Sequence, residues 1–281
     1  MRMKDKVAVI TGGASGIGKR TVERFVEEGG RAIIADIQDD RGLRMQEDLG
    51  DKVRYQRCDV MVEAEIKAAI DKAVSTWGRL DLLFNNAGAG GDPATIDDIT
   101  VQGWDDTQNL LVRSVLLGTK HAGPIMKRQG SGVIVNTASV AGLIPGATPV
   151  AYAVAKASVA YLTKCAAMEL AEFKVRVNCI CPGLVATPII GKSMGLAGQV
   201  ADRMVDAVEA AGAMFQPIPR GGRPDDIANA VLFFADDAAS WVTGVVLPVD
   251  GGIAAGRTPK EMAQGWEKIA AAVGGEWSVQ G

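Results

Sequence analysis

Short runs of valine, isoleucine and leucine alternate along the chain with longer stretches in which apolar residues recur at helical spacing. The runs fall at 7–10, 32–35, 53–57, 80–85, 132–137, 175–181 and 244–249. The stretches between them, 17–28, 39–49, 63–77, 103–128, 151–173 and 225–236, read as helices. Runs that are apolar throughout, rather than at every second residue, are expected of strands buried on both faces. Strand and helix in regular alternation predict parallel strands joined by right-handed crossovers. The pattern therefore predicts a single doubly wound α/β domain, a parallel seven-stranded sheet with helices on both faces. No linker, repeat or low-complexity segment divides residues 1–281. Two regions break the rhythm. Residues 184–223, rich in Gly, Ala, Met and Pro, are expected to form a lid of short helices over the carboxyl ends of the strands, where open α/β sheets bind ligands. Residues 253–281 form a tail, helical over 258–273, with Thr258 as N-cap, Pro259 in the first turn and Gly274 as a stop.

Composition narrows the function classes. With 48% hydrophobic and 22% charged residues the chain can bury a large core. A net charge of −3 leaves no electrostatic footprint for nucleic acid, and no lysine–arginine cluster points to a membrane surface. The first apolar run is too short for a signal peptide and no stretch approaches transmembrane length, so the cytoplasm is the expected location. Cys179 and Cys181 lie two apart in an apolar run and share one strand face. They read as buried structural thiols; a metal site would need further ligands, which the one histidine, His121, and the lack of a C-x2-C pair do not supply. No metal is expected.

The first strand runs into Thr11-Gly12-Gly13-Ala14-Ser15-Gly16-Ile17-Gly18 and then a helix. Glycines there permit a tight turn and the close approach of a pyrophosphate to free helix N–H groups. The spacing is G-x3-G-x-G rather than G-x-G-x2-G, so the loop by itself also suits a plain turn. At the end of the second strand, Asp36 can accept hydrogen bonds from both ribose hydroxyls and repel a 2′-phosphate, which favours NAD over NADP; its other reading is a cap on the next helix. Ala14, Ser15 and Ile37 offer no basic partner for such a phosphate.

These motifs, with those that follow, resemble the short-chain dehydrogenase/reductase family from about Lys6 to Gly252. The glycine loop matches that family's own G-x3-G-x-G, and the resemblance implies its Rossmann fold. Asp59, with Val60 beside it, matches the acid that contacts the adenine amino group. Asn85-Asn86-Ala87-Gly88 matches the N-N-A-G near the adenosine ribose. Ser139, Tyr152 and Lys156 match the catalytic serine and Y-x3-K, Pro182-Gly183 matches the P-G after the sixth strand, and Thr187 matches a residue that holds the nicotinamide carboxamide. The cofactor-binding set so implied is Gly12, Ser15, Gly16, Ile17, Gly18, Asp36, Ile37, Asp59, Val60, Asn86, Ala87, Gly88, Tyr152, Lys156, Pro182, Gly183, Val185 and Thr187. No single motif decides the matter; six in order at the right intervals are specific.

Physical chemistry supports the catalytic trio independently. Tyr152 and Lys156, four apart, share one face of a helix. A free tyrosine, with a pKa of about 10, is a poor base at neutral pH. A lysine cation alongside would favour the phenolate. Tyr152 would then take the alcohol proton as hydride leaves carbon, or donate it in reverse, while Ser139 hydrogen-bonds the substrate oxygen. The resemblance adds that Lys156 holds the nicotinamide ribose. One position departs from the family: between Trp104 and Gly118, where relatives carry an asparagine that helps hold a water in the proton path, this chain has Leu111. Asn109 is two residues away on a helix and faces elsewhere. Either the relay is rebuilt through backbone carbonyls and water, which the intact trio favours, or activity is reduced.

The lid offers Ile189, Ile190, Met194, Leu196, Met204, Met214 and Phe215 as lining for an apolar substrate, or merely as contacts that close the lid onto the core. Residues 88–93 are expected as the opposite wall. The expected reaction is NAD-dependent hydride transfer between a hydrophobic secondary alcohol and its ketone. An NADP-linked ketone reductase and a catalytically impaired NAD-binding regulatory protein are the alternatives. The resemblance implies a homotetramer paired through the helices at 103–128 and 151–173; the tail after Ile253 is expected to cover a neighbour's site.

Overall fold

The structure is a computed structural model that describes residues 1–146, 148–193 and 198–272. Seven parallel strands form one sheet in the order β3-β2-β1-β4-β5-β6-β7. They are β1 Val7–Thr11, β2 Arg31–Asp36, β3 Val53–Arg57, β4 Leu82–Asn85, β5 Gly132–Thr137, β6 Val175–Pro182 and β7 Val246–Val249. Each strand runs parallel to its neighbours, as uninterrupted apolar runs require.

Alternate strand residues feed two cores. Ile10, Ile34, Phe84, Val135 and Ile180 pack against helices α1 (Gly16–Glu27) and α9 (Pro224–Ala235) through Phe25 and Phe234. Val9, Ile33, Leu83, Ile134 and Val177 pack on the other face against α3 (Glu63–Trp77), α5 (Ser114–Gln129) and α6 (Val150–Leu170). Full burial of each large side chain contributes about 1.5–3 kcal/mol, so both helix layers are firmly seated. The strand order reverses between β1 and β4, and that crevice at the carboxyl ends is where a doubly wound sheet receives its ligand.

The helix expected over 103–128 is divided. Helix α4 (Val101–Gln108) passes through a π-helical turn, Asn109–Arg113, before α5 begins. Leu111 sits at the centre of that turn, and π turns are frequent at functional sites. The lid is pinned at its base by a parallel bridge: Ala186 N–H donates to Gly222 O at 2.8 Å and Gly222 N–H to Leu184 O at 2.9 Å. Between these anchors lie α7 (Pro188–Ser193) and α8 (Gly198–Ala211). In the tail, helix α10 spans Pro259–Ala272, while Gly274 lies outside the described residues. Helix α2 (Asp39–Leu49) completes the set.

Candidate active site

Strand ends and helix starts build the site. Thr11, the last residue of β1, ties the glycine loop to the turn after β4. Its hydroxyl accepts from Asn86 N–H at 2.9 Å and Ala87 N–H at 3.0 Å, and its carbonyl accepts from Asn86 Nδ2 at 3.0 Å. The N-N-A-G turn is thereby clamped against G-x3-G-x-G. Asn85 points the other way, donating to Asn136 Oδ1 at 2.9 Å, which in turn donates to Thr163 Oγ1 at 2.9 Å. It braces β4, β5 and α6 rather than facing a ligand.

Helix α1 starts after Ser15 with no side chain capping its first N–H groups. Gly18 lies so close to the loop that a Cβ there would stand 2.1 Å from Gly12 O. Only a glycine lets the helix start this near the first turn, leaving the N–H groups turned outward, a geometry suited to a phosphate. Gly12, Ser15, Gly16, Ile17, Asn86, Ala87, Gly88, Lys156 and Thr187 line one cleft of about 150 Å³. Pro182 ends β6 beside this cleft, Gly183 N–H donates to Val249 O at 3.2 Å, and the Thr187 hydroxyl donates to Val185 O at 3.4 Å. Val60 borders a small hollow next door with Thr11 and Ala87, while Asp59 Oδ1 accepts from Met61 N–H at 2.9 Å. Ile37 is exposed at the rim. The residues marked in the sequence for a dinucleotide thus gather along the carboxyl ends of β1 to β6.

Four residues of this wall, Ile189 among them, carry no motif. Ala89 and Pro188 line the cleft, as does Thr137, whose hydroxyl is buried without a hydrogen-bond partner although the residue is only 9% exposed. A buried orphan hydroxyl costs about 1–3 kcal/mol, and a polar ligand in the cleft would relieve it. The orphan hydroxyl, the uncapped helix and the glycine contact all fit a bound dinucleotide.

Of the three residues expected to be catalytic, Lys156 lines this cleft and Ser139 lines a second space. Tyr152 and Lys156 lie one turn apart on α6, whose buried face is otherwise alanine, valine and threonine. Lys156 is 5% exposed and donates from Nζ to Thr137 O at 2.8 Å. Burial pushes its pKa down to about 8. Burial also pushes the Tyr152 phenol up, and a hydrogen bond with Ser139 pulls it only part of the way back. The expected lowering of Tyr152 by a lysine cation therefore does not describe the protein by itself. The Lys156 ammonium is 5.6 Å from the Tyr152 ring centre and is directed to a backbone carbonyl instead. Ser139 Oγ accepts from Ala141 N–H at 3.2 Å, capping the turn Val140–Gly142. Behind Lys156, the buried thiols of Cys179 and Cys181 hydrogen-bond one another, which lowers the first and raises the second.

The second space is a cavity of about 500 Å³ over Ser139, walled by Val140, Leu184, Val208, Phe215 and Ile253. Of the described lid side chains expected in it, only Phe215 takes part. Ile189 lines the cofactor cleft, and the tight turn Gly212–Met214 leaves Met214 exposed. Met194 and Leu196, with the side chains of Ile190 and Met204, lie outside the described residues. The loop at 88–93 does not wall this cavity. Asp92 N–H donates to Thr107 Oγ1 at 2.9 Å, which turns the loop towards α4. Thr148, also in the wall, was not foreseen, and its hydroxyl is buried without a partner.

A family model described as enoyl-(acyl carrier protein) reductase matches residues 12–254. The chain belongs to the short-chain dehydrogenase/reductase family. It is 40% identical over 256 residues to momilactone A synthase of Oryza sativa subsp. japonica, covering 90% of this chain and 91% of that protein. It is 38% identical over 257 residues to (+)-borneol dehydrogenase 2 of Salvia officinalis, covering 90% of each. The solved structure of levodione reductase superposes with a TM-score of 0.81 at 33% identity, over 90% of this chain and 99% of that one. This short-chain dehydrogenase/reductase is an oxidoreductase of a family that uses nicotinamide cofactors. Among its described residues no helix is long and apolar enough to cross a membrane.

Proposed function

We propose that the protein is an NAD-dependent dehydrogenase of hydrophobic secondary alcohols, and in reverse a ketone reductase, with Tyr152 as general base and acid. One observation supports this reading: Lys156 and Ser139 line two different spaces. Lys156 faces the cleft of glycines and N–H groups, Ser139 faces the apolar cavity, and Tyr152 hydrogen-bonds Ser139. The reaction requires an alcohol carbon held in the cavity to approach a ring held in the cleft. When bound, the nicotinamide supplies the hydride acceptor. Ser139 Oγ holds the substrate oxygen and Tyr152 Oη takes its proton; in the ketone direction Tyr152 Oη returns it. Relatives named for borneol and levodione support a cyclic, largely apolar substrate.

The assignment of NAD rests on Asp36, a 3% exposed carboxylate at the end of β2. It accepts from Ala14 N–H and Gln38 N–H and so belongs to the wall of the loop more than to a cap of α2. For Leu111, the π turn supports a relay rebuilt on backbone carbonyls and water, because bonding from i to i+5 takes local carbonyls off the regular ladder. Leu111 is also the observation behind the alternative, an NAD-binding protein without turnover. NAD reduction over a panel of hydrophobic secondary alcohols, with Tyr152→Phe as control, separates the two. Turnover lost in the variant supports the dehydrogenase. NAD binding with no turnover of any alcohol, or of the ketones with NADH, favours the regulatory reading.

We further propose a homotetramer. Leu116 on α5 and Val154, Tyr161 and Met168 on α6 are exposed apolar side chains on neighbouring helices, and Trp241 is 99% exposed. Met262, Trp266 and Ile269 of α10 recur at helical spacing and are exposed likewise, which suits a tail laid over a neighbouring copy. Light scattering of the purified chain tests the assembly.

A further inference from the structure

The carboxylate on which cofactor choice turns is already heavily used. Asp36 Oδ2 accepts from Ala14 N–H at 2.9 Å, and Oδ1 accepts from Gln38 N–H at 3.0 Å and from Gln38 Nε2 at 3.1 Å. The same Nε2 reaches Ser15 Oγ at 3.3 Å. A primary amide has two N–H groups, enough for both. One side chain therefore bridges the end of β2 and the loop that starts α1.

An ionised carboxylate offers about four lone-pair directions, and three are taken here. A ribose diol brings two donors. Two of the three existing bonds come from backbone N–H groups fixed by the glycine loop and by the turn after β2. Gln38 Nε2 is the third, and it sits at the end of a rotatable, partly exposed side chain. It is the bond that can yield.

We propose that Gln38 is a specificity-determining residue for the dinucleotide. Its side-chain amide holds, on Asp36 and Ser15, the hydrogen-bond position of a ribose hydroxyl and must swing aside before the diol can bind. This inference rests on the reading of Asp36 as the selector between NAD and NADP. Gln38 works against that selection in two ways. It competes with the diol for the carboxylate, which weakens NAD. It also places an uncharged donor beside the 2′ position, where a phosphate would accept from it.

The test is Gln38→Met in the full chain, which keeps the stem, removes both amide N–H groups and leaves the backbone donor to Asp36 intact. Dissociation constants for NAD and for NADP are measured by calorimetry without substrate, with melting temperature as the check on folding. The variant is expected to bind NAD about three- to tenfold tighter, the worth of one competing hydrogen bond, and NADP no tighter. The ratio between the two cofactors widens. Proportional weakening of both cofactors would show Gln38 to be a structural prop of the loop and overturn the inference, as would unchanged NAD binding. Gln38→Ala serves if the methionine variant melts early. A wild-type protein that prefers NADP overturns the Asp36 reading itself, and is recognised before any variant is made.

Discussion

Lys156 Nζ lies 5.6 Å from the centre of the Tyr152 ring and gives its hydrogen bond to the Thr137 carbonyl, 2.8 Å away. The pair shares a helix face, yet the ammonium is spent on the end of β5. A lysine so placed, 5% exposed and with its pKa pushed down to about 8, costs the fold something as long as it is charged.

That cost has a definite pH window. The unfolded chain holds the proton up to about pH 10.5 and the folded one only up to about pH 8, so between the two the unfolded state binds more protons. Stability therefore rises with pH across that window, by up to about 3 kcal/mol. Melting of wild type and Lys156→Met from pH 7 to pH 10.5 should show the wild type gaining on the variant as pH rises. A difference independent of pH would mean that the lysine is not strained by burial.

Tyr152 leads to an expectation about rate. Its phenol is raised by burial and only partly relieved by Ser139, so phenolate is scarce at neutral pH. Alcohol oxidation should climb with pH above neutrality, while ketone reduction, which needs the phenol, should not. Tyr152→Phe should lower both by about 10²- to 10⁴-fold, the usual worth of a positioned acid–base group, without moving the melting temperature far. Paired pH–rate profiles in the two directions check this, and parallel profiles would count against Tyr152 as the proton carrier.

Leu111 is 1% exposed, and its Cδ2 stands 3.0 Å from where a Cβ on Gly88 would lie. An asparagine there would bury an amide in a pocket fitted to leucine. Leu111→Asn should cost about 1–3 kcal/mol of stability and change turnover by less than about threefold. Denaturant melts and steady-state kinetics read both. A large gain in turnover would instead show that leucine had removed a working part of the relay.

Asp36→Asn keeps the shape at the end of β2 and removes the charge that would face a 2′-phosphate. Like charges brought together cost several kcal/mol, so NADP binding should improve by at least about tenfold relative to NAD. Unaltered discrimination would remove Asp36 from the account of cofactor choice.

Much of this was legible in the chain. The runs placed each of the seven strands to within two residues of its observed ends; in the central strands burial on both faces leaves no polar positions to blur them, whereas the edge strand β3, VRYQR, is only partly buried. Tyr152 and Lys156 were a matter of helical spacing, and the glycines of the first loop a matter of backbone freedom. Thr11 and Gln38 were not legible, because a threonine or glutamine beside a motif has no periodicity and acquires meaning only from what it touches. The lid misled for the same reason. Apolar residues in an irregular segment do not declare which way they face, and of Ile189, Met214 and Phe215 only the last reaches the cavity.

By itself the sequence determined the class of fold and the order of its elements, and it singled out Ser139, Tyr152 and Lys156 as candidates, all of which depend on local spacing along one chain. Tertiary structure alone decided how those groups are charged and where they point. Lys156 is turned to Thr137 by the approach of α6 to β5, Tyr152 is raised by burial and partly relieved by Ser139, and Asp36 is bonded across to Ala14 and Gln38. Desolvation and hydrogen bonding between distant segments set these properties, and both arise only when the chain is packed.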